Sequence, residues 1–108
     1  MPEGATLQSI HLEPRPDGCR LSLSGTVNIM LAEDLLGAAR RADPAGAVEV
    51  DLGEAEHLDT AALQVLLALR EAVRGAGGTW AVTQVPDGVR RYLRLAGLEP
   101  ALLGITPA

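Results

Sequence analysis

Residues 60–74, Thr60-Ala61-Ala62-Leu63-Gln64-Val65-Leu66-Leu67-Ala68-Leu69-Arg70-Glu71-Ala72-Val73-Arg74, are apolar on nearly every side at helical spacing. A helix with so few polar faces must be mostly buried, so the rest of the chain has to supply layers that cover it. Gly75, Gly77 and Gly78 follow and close it, as glycines do at helix C-termini. No stretch of the chain has enough consecutive apolar residues to span a bilayer, so the covering layers must be protein.

The remaining segments read as those layers. Residues 7–12 alternate only in part but run into the turn-rich Pro14-Arg15-Pro16-Asp17-Gly18, which predicts a strand and then a hairpin turn. Cys19-Arg20-Leu21-Ser22-Leu23-Ser24 alternates apolar and polar, the pattern of a half-buried strand returning antiparallel to the first and ending at Gly25. From 30 to 41, Met30, Leu31, Leu35 and Ala38 recur near helical spacing, with Glu33 and Asp34 early and Arg40 and Arg41 late, as the helix dipole favours. Asp43-Pro44-Ala45-Gly46 breaks the chain, and residues 47–52 read as a central strand. Thr79-Trp80-Ala81-Val82-Thr83 is a further strand, and Pro86 opens a helix carrying Val89, Tyr92, Leu93 and Ala96 on one face. Gly97 caps that helix, and residues 98–103 form a short final turn or helix.

Helical crossovers in the second half demand parallel neighbours. The expected fold is α/β: a mixed, mostly parallel sheet of about four to five strands, with helices packed mainly on one side. At 108 residues, 47% hydrophobic and 21% charged, the chain is expected to be one packed domain, with short flexible tails at about 1–5 and 104–108. The first five residues lack the basic and apolar segments of a signal peptide, and the lone Cys19 forms no internal disulfide, so a cytoplasmic location is expected. The net charge is −5 and every basic residue is arginine, which disfavours a generic electrostatic grip on nucleic acid.

Val48-Glu49-Val50-Asp51-Leu52, a loop, Leu58-Asp59-Thr60-Ala61-Ala62-Leu63 and a glycine-terminated helix together resemble a STAS domain, the fold shared by anti-sigma-factor antagonists and the cytoplasmic tails of sulphate transporters. The similarity continues through Gly77-Gly78-Thr79-Trp80-Ala81-Val82 and the segment from 89 to 98. In the antagonists an Asp followed by Ser or Thr starts the buried helix, and the anti-sigma kinase phosphorylates that hydroxyl. The resemblance makes Thr60 the phosphorylation candidate and Glu56, His57, Leu58, Asp59, Thr60, Ala61, Ala62 and Leu63 the partner-binding segment. The antagonists usually continue with a small residue, Gly and Leu, where this chain has Ala61, Ala62 and Leu63. Thr60 before a Leu-rich helix is also similar to the STAS subunit of lipid-transport ABC complexes and to stand-alone chemotaxis-type STAS proteins. The implied partner is an anti-sigma kinase, a relay protein or a transporter ATPase, with no direct insertion into a membrane.

Each candidate residue also has a plain structural reading. Asp59 and Thr60 stand where short polar side chains cap a helix, and a hydroxyl at such a place can be both cap and phosphosite. His57 beside Glu56 and Asp59 superficially resembles an acid/base or metal cluster, but it has no second histidine and no nucleophile at suggestive spacing; His11 sits in a strand. Gly75-Ala76-Gly77-Gly78 follows a helix and so is not a phosphate-cradling loop. Arg90, Arg91 and Arg94 read as a solvated face, Trp80 as a core or sheet-face residue, and Cys19 as a small buried side chain. No cofactor or metal is implied. A small enzyme ranks last among the readings, because no nucleophile, base and orienting group assemble from these residues.

Overall fold

The computed structural model describes residues 9–103. Strand β1 (Ile10–Arg15) turns through Pro16 and Asp17 into β2 (Gly18–Val27). A single 3-10 turn (Ile29–Leu31) leads into helix α1 (Ala32–Arg41), then β3 (Ala47–Leu58), α2 (Thr60–Ala76), β4 (Thr79–Thr83), α3 (Asp87–Leu95) and α4 (Glu99–Leu103). The four strands lie in the order β1-β2-β3-β4. The hairpin β1–β2 is antiparallel, while β2–β3 and β3–β4 are parallel, as helical crossovers require. The fold is the expected mixed sheet, with β3 in its interior.

One face of the sheet forms the core. Cys19, Leu21 and Leu23 of β2 and Val48, Val50 and Leu52 of β3 point into it and are buried, and α2 lays Ala62, Leu63, Leu66, Leu69 and Val73 on top. Leu35 and Ala38 of α1, Val89 and Leu93 of α3 and Leu102 of α4 complete it. The opposite face carries Arg20, Glu49, Asp51 and Thr83. There Arg20 donates to the Asp51 carboxylate, and the Thr83 hydroxyl donates to Glu49 Oε2 at 3.0 Å. Burial pushes the Cys19 thiol above its ordinary pKa, which leaves little thiolate and fits a packing role. Trp80 packs against the core and donates from Nε1 to the Leu102 carbonyl at 2.8 Å, tying α4 to the edge strand.

Several boundaries differ from the sequence reading. Pro14 and Arg15 belong to β1, so the hairpin turn shrinks to Pro16-Asp17; residues 7–8 of the expected first strand and both expected tails lie outside the described residues. Gly25 does not end β2. It sits at φ +69° beside shifts of register between β2 and β3, and the strand resumes to Val27. The expected loop after residue 52 is strand too: β3 continues to Leu58, paired along β2 as far as Val27↔Leu58. Met30 and Leu31 fall in the 3-10 turn rather than in the helix, because the Asn28 side chain accepts from the Met30 amide at 2.9 Å and sets up a separate turn. Gly75 lies inside α2, and the helix ends at Gly77, whose left-handed φ of 82° lets the Gly78 amide reach the Val73 carbonyl at 3.0 Å. α2 is also less enclosed than its sequence suggests. A single helical layer leaves Gln64, Ala68, Glu71 and Ala72 in solvent, where alanine serves helix propensity rather than burial.

Candidate functional site

β2 and β3 end level with each other, and both crossovers leave the sheet at this end. The Asp59 amide donates to the Val27 carbonyl at 2.9 Å, which locks the start of α2 beside the end of β2.

Asp59 is the residue before the first helical turn, and its carbonyl accepts from the Leu63 amide at 2.9 Å. Its backbone is extended, as a cap requires, yet its carboxylate makes no capping hydrogen bond to the helix. It faces His57 instead, with Oδ1 3.3 Å from Nε2. The expected side-chain cap is therefore not made by Asp59, because the neighbouring imidazole holds the carboxylate. The His57 ring in turn meets Tyr92 of α3 edge to face, with ring centres 4.9 Å apart. Tyr92 did not figure in the sequence reading of this site; it reaches His57 because β3 outruns β4, whose pairing ends at Asp51↔Thr83, and α3 packs there.

The eight candidate residues divide by direction. Leu58, Ala62 and Leu63 are buried and anchor the segment in the core. Glu56 and Thr60 are exposed, while His57, Asp59 and Ala61 are half-buried. Thr60 thus presents its side chain to solvent at the first position of the helix that carries the core. Among the described residues no cluster of three His, Cys, Asp or Glu side chains could hold a metal ion. Of the three arginines on α3, two are engaged by Glu99, Arg90 at 3.1 Å and Arg94 at 3.6 Å. No helix among the described residues is long and apolar enough to cross a membrane.

The family model described as "Mlab, STAS domain" matches residues 10–104. The chain belongs to the STAS family. Solved structures agree in fold with this STAS chain. The anti-sigma factor antagonist SpoIIAA in its unphosphorylated form superposes with a TM-score of 0.69 at 15% identity, over 84% of this chain and 83% of that one. An anti-sigma factor antagonist from Mycobacterium paratuberculosis gives 0.66 at 23% identity, covering 92% and 85%. A putative one from Thermotoga maritima gives 0.71 at 18% identity, covering 89% and 85%. No curated protein matches the chain. The STAS frame rests on a core that the sequence pattern already implied, and its Asp59-Thr60 pair sits at the carboxyl end of the sheet.

Proposed function

We propose that this STAS chain is a non-enzymatic, cytoplasmic regulatory module that docks onto a protein partner, such as an anti-sigma kinase, through the Asp59–Thr60 junction and the first turn of α2. The observation that carries this reading is the exposed Thr60 at the start of a helix whose first turn is fixed in the core by Ala62 and Leu63. A partner that touches this turn meets a rigid surface, which lowers the ordering cost of association. The hydroxyl is accessible to a kinase, and phosphorylation would add about −1.5 to −2 charges and three acceptor oxygens at the helix N-terminus. The dipole would stabilise that phosphate by roughly 0.3–1 kcal/mol, so the fold survives. The complex does not, because the partner must approach the first turn of α2 closely, and a bulky dianion there blocks that approach and has to be desolvated inside the contact.

A second reading seats the same face on the ATPase of a lipid-transport ABC complex. The sequence Thr60-Ala61-Ala62-Leu63 favours it: Ala62, where antagonists usually have Gly, is fully buried. In that case binding is constitutive.

Thr60→Glu is expected to weaken binding to the partner recovered from the native host, with a melting midpoint within about 4 °C of wild type, because surface substitutions usually stay within about 0.5 kcal/mol. Thr60→Ala is expected to keep most of the binding and to lose any phosphorylation. Equal binding by Thr60→Glu and wild type, measured by titration calorimetry, would end the switch reading.

A further inference from the structure

The turn between β2 and α1 leaves two large apolar side chains in solvent beside the proposed docking face. Ile29 is 70% exposed and Met30 81% exposed, and neither contributes to the core. Nothing in the fold requires apolar residues there. The turn is held by Asn28, whose side chain accepts from the Met30 amide at 2.9 Å and whose carbonyl accepts from the Leu31 amide at 2.9 Å. That geometry presents Ile29 and Met30 outward on a hydrogen-bonded support. The turn also packs against α2, and the Val27↔Leu58 pairing brings it level with Asp59 and Thr60.

The two segments beside the turn are acidic, although Arg41 of α1 lines the same hollow as Leu31, Glu33 and Asp34, and Arg91 is exposed next to Tyr92 on α3. Residues 28–36 and 53–64 hold Glu33, Asp34, Glu54, Glu56 and Asp59 and not one arginine or lysine. All but Asp59 are exposed, and Asp59 is half-buried against His57. An apolar knob set among carboxylates fits an apolar pocket with a basic rim. A second copy of this chain does not fit, since it would bring the same acidic residues face to face. Nucleic acid and anionic lipid carry the wrong sign for the same reason.

Resting on the docking reading above, we infer that Ile29 and Met30 are its apolar anchor, and that the partner is a protein offering a hydrophobic pocket bordered by arginine or lysine side chains. Methionine suits such a role, because its unbranched, polarisable side chain adapts to a pocket.

A benzophenone side chain is placed at Met30 in the full chain, and in a second protein at Gln64, one helical turn beyond Thr60, and each is photo-crosslinked in the native host. The expected result is the same partner protein joined from both positions. Ile29→Ser combined with Met30→Ser should then weaken binding of that purified partner by about tenfold or more at an unchanged melting midpoint. Wild-type affinity should also fall as salt rises. A partner joined from Gln64 but not from Met30, or bound equally by the double variant, would overturn the anchor while leaving the docking face standing. A homodimer joined through Met30 would overturn it in favour of self-association. No adduct from either position would overturn the docking reading and the anchor together.

Discussion

Leu66→Ala should lower the stability of the chain by about 2–5 kcal/mol, the range for truncating a fully buried leucine in a core that relaxes only in part. Leu66 has no exposed surface and sits in the middle of the buried stripe of α2, between Leu63 and Leu69. The stripe belongs to one core cluster with Leu21, Val50 and Leu52, all fully buried on the strands, so removing a side chain with no exposed surface leaves a cavity inside that core. For a chain of this size each kcal/mol shifts the melting midpoint by roughly 4–8 °C. A drop of about 10 °C or more by thermal denaturation is therefore expected, and an unchanged midpoint would mean that α2 does not hold the core.

Gly78→Ala should destabilise the chain by about 1–3 kcal/mol, for a reason unrelated to backbone freedom. The start of β4 passes so close to the 44–46 segment that a Cβ at Gly78 would overlap the carbonyl oxygens of Pro44 and Gly46. These are backbone atoms, and the Gly46 carbonyl is already committed to the Thr79 amide at 3.0 Å. Relief requires the two strand entries to separate, with the cost of an overpacked site. Chemical denaturation should show a lower midpoint at an unchanged slope. An alanine variant as stable as wild type would mean that the two segments are not in contact.

The sequence showed the elements whose burial follows a strict period. Alternation over 19–24 and the apolar run of 60–74 place β2 and α2, and the glycines after α2 mark its end within two residues. Segments that break period were harder to read. β2 shifts register at Gly25, and β3 changes phase after Gly53, so Glu54, Ala55, Glu56 and His57 lose simple alternation although they remain in the strand. Two-strand pairing sustains them, and that is a property of the neighbour, not of the segment. Glu54-Ala55-Glu56, exposed-buried-exposed, was the local signal available. The candidate segment from Glu56 to Leu63 is contiguous in the chain, so it could be grouped without the fold. The Tyr92 contact and the Ile29-Met30 turn come from elsewhere in the chain and needed the sheet order to bring them in. Met30 and Leu31 also fit a helical face by spacing alone, and only the hydrogen bonds of Asn28 separate them from the helix.

The central claim, that a partner docks at the carboxyl end of the β2–β3 pair, is tested most directly by backbone amide exchange. The amides of Thr60 and Ala61 have no intrahelical acceptor, neither residue is buried, and the Asp59 side chain makes no capping bond to them, so they should exchange fast in the free chain. In complex with the partner recovered from the native host, slowed exchange is predicted over 59–63 and over 28–32. Protection confined to the open sheet face around Arg20 and Asp51, or to the outer face of α2 at Ala68 and Ala72, with residues 59–63 still exchanging as in the free chain, would contradict it.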